Sequence, residues 1–162
     1  VQSRVVVDTF NERIYFPDAD VAIEKIHRRE KALYALFLLE SPSGGINFNK
    51  PKSPKHIERY RKRMDAIQTK YKMIYSMLGG DERSAPNLEV SEIRLPMISL
   101  LKRQILKLGG VLHHANDYVV QRNFYGNYSV GVSPDLCCCS SGPDGEITPL
   151  AESDIWQGIS AL

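Results

Sequence analysis

Residues 27–46 read HRREKALYALFLLESPSGGI, and this stretch decides how the rest of the chain is organised. Ala32, Leu33, Leu36 and Phe37 recur at helical spacing, while Tyr34, Leu38 and Leu39 widen the apolar face until little of the helix is left for water. A helix of this kind, from Arg29 to Glu40, belongs at the centre of a core. Pro42 and the pair Gly44-Gly45 stop it, because neither residue type continues a helix cheaply. Ile46-Asn47-Phe48 then alternates as a brief strand.

On the N-terminal side, RVVVD (residues 4–8) and NERIYF (residues 11–16) are rich in β-branched and aromatic residues and read as two short strands, with Val21 to Ile23 as a third. On the other side, Ser53-Pro54 opens a second helix, with Ser as cap and Pro in the first turn; it is expected to run to about Leu78 and stop at Gly79-Gly80. Ile57, Tyr60, Met64, Ile67, Tyr71, Ile74 and Leu78 form its apolar stripe, and Arg59, Arg61, Lys62, Arg63, Lys70 and Lys72 mostly fall outside it, giving the helix a basic exterior. A third helix is expected from near Pro96 to Gly109-Gly110. Residues 117–132, DYVVQRNFYGNYSVGV, alternate around Phe124-Tyr125-Gly126-Asn127 as a hairpin. The expectation is an α+β domain over residues 1–132. Residues 133–162 are expected to form an acidic Ser/Gly/Pro-containing extension, docked or partly mobile, with the segment from Asp154 a candidate short docking helix.

The chain has 162 residues, of which 43% are hydrophobic and 25% charged, enough for one sizeable core and too balanced for disorder. No apolar run approaches the roughly 20 residues of a membrane span, and residues 1–10 lack the basic and apolar regions of a secretory signal. All three cysteines are contiguous, Cys137, Cys138 and Cys139, which suits neither a disulfide framework nor a zinc site. They read as residues of a strand edge or loop in a reducing compartment, and a cytoplasmic location is expected. His113-His114, taken as neighbours on a strand, point to opposite faces and do not share a metal. No phosphate-cradling Gly loop and no nucleophile with an identifiable base is present, so neither an enzyme nor a cofactor is expected.

Net charge is only +2, but it is unevenly spread. Lys50 to Lys72 holds nine basic residues against two acidic ones, and no Lys or Arg follows Arg122. Clustering of this kind matters for a polyanionic partner in a way that the total does not.

Two segments carry a resemblance. One is residues 27–46, quoted above; the other is ISLLKRQILKL (residues 98–108) followed by YVVQRNFYGNYSVGV (residues 118–132). Together they resemble the winged-helix effector domain of two-component response regulators, in which a small N-terminal sheet precedes the first helix, the third helix enters the DNA major groove and a C-terminal hairpin forms the wing. RIYFPDADVAIEKIHRREKALYALFLLESPSGGI (residues 13–46) also looks like a group of small uncharacterised proteins from gut Bacteroides-type bacteria. The helix from Ser53 to Leu78 is longer than the second helix of the regulator pattern, and no receiver domain is present.

The resemblance implies a DNA-binding transcriptional regulator domain. Lys102, Arg103 and Lys107 on the third helix then approach the groove or its phosphates, Arg122 and Asn123 act on the wing, and Lys62 or Arg63 touches the backbone. The alternative on the same scaffold is a non-catalytic protein-interaction module, with a protein partner or a second copy in place of double-stranded DNA. The position of the acidic C-terminal segment separates them, since a segment folded over the third helix blocks groove entry. Tyr125 and Tyr128 read either as stacking groups or as cross-strand packing partners.

Overall fold

Helix α1 (Arg28–Glu40) leaves no residue from Ala32 to Leu39 more than 5% exposed, so every other part of the chain is arranged to enclose it. The computed structural model describes residues 2–162 and is of the α+β class. His27 N–H donates to the carboxylate of Glu30 (2.8 Å), which closes the start of α1. Gly45, at φ +86°, follows its end, and a Cβ there would lie 2.2 Å from the Tyr128 carbonyl oxygen, so only glycine lets the chain pass so close to the hairpin.

Two sheets flank the helices. The first contains β1 (Val5–Asp8), β2 (Arg13–Phe16), β3 (Val21–Ala22), β7 (Cys137–Ser140) and β8 (Thr148–Pro149) in the order β3-β2-β1-β7-β8. β1 and β7 run parallel, in the register Val5 to Cys137 through Asp8 to Ser140. The second contains β4 (Ile46–Asn47), β5 (Val120–Arg122) and β6 (Asn127–Val130) in the order β4-β6-β5. Helices α2 (Ile57–Met77) and α3 (Ser91–Leu106) lie between β4 and β5 in sequence and both pack on α1. Residues 133–162 supply β7, β8 and α4 (Asp154–Ser160); α4 buries Trp156 and Ile159 and packs on α1 and α2.

Buried tyrosines join the layers. The Tyr34 hydroxyl donates to the Tyr118 carbonyl oxygen, and the Tyr118 hydroxyl donates to that of Ser3, so α1, the approach to β5 and the lead into β1 are tied in series.

Four expectations change. Helix α3 starts at Ser91 rather than near Pro96, which lies within its second turn. Proline is tolerated there on the exposed side, although it removes the bond to the Glu92 carbonyl. Lys70 is not on the exterior of α2: it is buried, and its ammonium meets Glu40 at 2.6 Å. The cysteines occupy an internal strand rather than an edge, with Cys137 and Cys139 in the core. His113 and His114 lie in the turn after α3, where their rings meet at 4.1 Å.

Two measurements follow from this packing. Lys70→Ala leaves Glu40 buried without its partner and should lower unfolding free energy by about 3 kcal/mol in urea titration; replacing both, as Lys70→Met with Glu40→Leu, should restore most of it. Burial raises the Cys137 thiol from its ordinary 9.0 to about 12 and the Tyr118 hydroxyl from 10.0 to about 12. The unfolded chain gives up these protons at the ordinary values while the folded chain keeps them. Stability should therefore fall as pH rises from about 9 toward 12, with the native thiols unreactive to alkylating reagent at neutral pH.

Candidate nucleic-acid interface

The second sheet brings two distant basic segments together. β4 pairs with β6 through Ile46–Tyr128 and Asn47–Asn127, so the exit of β4 and the start of α2 stand beside the tip of the β5–β6 hairpin. Asn47 Nδ2 donates to the Tyr125 carbonyl oxygen (2.9 Å) and to Asn127 Oδ1 (2.8 Å). The tip is fixed from within as well: Asn123 Oδ1 accepts from the N–H groups of Tyr125 (3.0 Å) and Asn127 (2.9 Å). Gly126 completes the turn at φ +89°, where a Cβ would lie 2.4 Å from Asn49 Nδ2. Asn123 is thus a turn-forming residue, its side-chain oxygen engaged in the hairpin.

Beside this tip is a hollow of about 330 Å³ lined by Asn49, Lys50, Pro51, His56, Arg59, Tyr60 and Arg63. Lys50, His56 and Arg59 are exposed, whereas Arg63 is half-buried. Its guanidinium lies 5.6 Å from the Tyr60 ring, one amino group reaches the Asn49 carbonyl oxygen at 3.4 Å, and its buried Nε has no partner. Glu89, the carboxylate on this side, is occupied by Arg61 (2.6 Å) and by the Tyr60 hydroxyl (3.1 Å). The hydrogen bond from Arg61 holds Glu89 below its ordinary range against the opposing effect of burial. Among the described residues, Lys50, Arg59, Lys62 and Arg63 form no ion pair. These cations outnumber Glu89 and Glu58, the acidic residue in the first turn of α2, and an excess of like charge raises the local potential and suits a polyanion.

The start of α3 reaches this region through Arg94. Its guanidinium lies 4.1 Å from the Phe48 ring and donates to the carbonyl oxygens of Leu88 (2.6 Å) and Glu89 (3.2 Å). Burial lowers its pKa from the ordinary value, with Tyr128, Tyr60 and Glu92 acting the other way. Arg94 therefore anchors the start of the helix from a buried position, its Nε left without a partner.

Lys102, Arg103 and Lys107 are exposed at the C-terminal end of α3 and also lack ion pairs among the described residues. The same outer face carries Leu95, Ser99 and Leu106 in the open, with Glu92 in its first turn. Arg122 is exposed on the hairpin, and one of its amino groups would lie 3.4 Å from a Cβ at Gly126. Lys62 is exposed on α2. Arg122 and Arg63 are thus gathered around Asn49, with Asn123 in the adjoining turn, whereas Lys102, Arg103 and Lys107 form a separate group at the C-terminal end of α3.

The sharpest surface feature pairs Tyr125, legible in the sequence as a stacking group, with Phe124, which was not. Phe124 is 94% exposed and Tyr125 76%, their rings 5.5 Å apart and edge-to-face. Tyr128, considered alongside Tyr125, packs instead on Phe37 and Phe48. The signal was available: two consecutive aromatics in the middle of a four-residue turn lie past the strands whose faces would bury them. Lys50 was visible only as a member of the charge run and Arg59 also as part of the exterior of α2, whereas His56 carried no signal.

The described residues contain no group of three or more His, Cys, Asp or Glu side chains placed to hold a metal, and no helix long and apolar enough to cross a membrane. In comparison with known proteins, the chain matches no family model, no curated protein and no solved structure.

Proposed function

We propose that the chain is a winged-helix-type domain that binds double-stranded DNA, as part of transcriptional control. The observation that carries this reading is the helix–strand–helix–helix–strand–strand order of α1, β4, α2, α3, β5 and β6, closed by the sheet order β4-β6-β5. That order sets a hairpin beside a two-helix unit whose second helix keeps an open outer face, the general arrangement by which such domains offer a helix to the major groove and a hairpin to the backbone.

The acidic C-terminal segment supports it. Had residues 133–162 covered α3, groove entry would be closed; they instead join the first sheet and pack on α1 and α2, while Lys102, Arg103 and Lys107 remain exposed. In this reading the cations of α3 meet phosphates or base edges, and Lys50, Arg59, Lys62 and Arg63 hold the flanking backbone.

A second reading has its own observation. Ile93, Leu95 and Leu106 are exposed apolar residues on α3, and they suit a protein surface or a second copy better than a phosphate track. Fluorescence anisotropy with a mixed-sequence duplex separates the two. Binding at low salt should weaken steeply toward physiological salt. Lys102→Ala with Arg103→Ala should weaken it on the order of tenfold on all sequences and flatten the salt dependence by about 1.8 in log–log slope. Absence of binding at low salt would move the assignment to the interaction module.

A further inference from the structure

We infer that the tip of the β5–β6 hairpin is an aromatic wedge that enters between stacked DNA bases, seated by the phosphate-binding hollow beside it. The inference rests on the DNA reading above and adds to it a mode of recognition. Three observations carry it.

Phe124 is almost wholly and Tyr125 about three-quarters in water although each has a large apolar ring, an arrangement that calls for a partner when it lies at the end of a projecting element. The tip is also rigid by construction. Asn123 holds the backbone of the turn from one side and Asn47 from the other, and Gly126 is pressed against Asn49. A wedge has to keep its shape while it unstacks a base step, and these bonds remain satisfied with both rings pointing outward.

The charge around the tip selects the partner. Residues 118–132 and residues 47–56 contain neither Asp nor Glu. The rings stand next to Arg122 and to a hollow furnished with Lys50, His56, Arg59 and Arg63. An apolar pocket on another protein would face Lys50, Arg59, Arg63 and Arg122, none of them ion-paired among the described residues, without compensation. Nucleic acid offers phosphates to the hollow and the π-faces of bases to the rings, and wedges of this kind kink a duplex where a step opens most easily.

A wedge of this kind binds best where unstacking has already been done. In anisotropy titrations at one fixed salt concentration, the full chain should bind a duplex carrying a central mismatch or two-base bulge roughly tenfold more tightly than the intact duplex of the same sequence. Phe124→Ala with Tyr125→Ala should bind both duplexes with equal affinity, and its thermal melting should match that of the parent because both side chains are exposed. Phe124→Trp should keep the preference. A parent that binds both duplexes equally, or a double variant that retains the preference, overturns the wedge while leaving the DNA reading intact and moves the aromatic tip to protein contact. Failure of the parent to bind either duplex overturns both.

Discussion

A helix with no solvent face imposes an obligation on everything around it. From Ala32 to Leu39, α1 turns apolar side chains in every direction, and each large one gains about 1.5–3 kcal/mol only if something covers it. Helices α2 and α3 cover two sides, β6 and α4 others, and the first sheet extends the enclosure through Val5, Val7, Ile14 and Phe16. The positions of the hairpin and of α3 are consequences of that enclosure. Phe37 packs on Tyr128 of β6, and Tyr34 bonds the backbone at Tyr118, so the base of the hairpin is fixed to the central helix while its tip extends beyond.

Burial also divides the basic residues into two populations. Lys70 and Arg94 belong to the interior economy: one neutralises Glu40, the other lies against Phe48 and takes up two carbonyl oxygens. Lys50, Arg59 and Lys62, and on the other element Lys102, Arg103 and Lys107, have no such employment among the described residues. A charge run in a sequence mixes both kinds. The two become distinct only when burial and partners are known, because Lys70 differs from Lys72 by about half a turn of helix.

That difference explains what was legible in the sequence. Helix α1, the apolar stripe of α2, the brief strand β4 and the hairpin all rest on local periodicity and turn chemistry, which short windows record. The start of α3 was obscured by Pro96, whose preference for a first turn is overridden where its ring faces water. The role of Cys137 to Cys139 was beyond local reading, because it depends on pairing with Val5 to Val7 across most of the chain. The candidate interface was legible as charge but not as shape: Lys62, Arg63, Lys102, Arg103, Lys107 and Arg122 could be named, yet the hollow exists only after β4 has paired with β6. Asn123 was legible as a polar group on the hairpin, whereas its engagement with two backbone N–H groups needed the turn itself.

The parallel pairing of β1 with β7 has a consequence for how the chain is made. Val5, Val6 and Val7 are all fully buried, and one side of their strand is filled by residues 137–140. During synthesis β1 emerges well before β7 and can pair with β2, but its other edge stays unsatisfied until more than a hundred further residues have left the ribosome. An open, valine-rich edge is a template for pairing with other chains, and long-range pairings form slowly. The nascent chain is therefore open to such pairing from the time β1 is made until the cysteine strand arrives to close it.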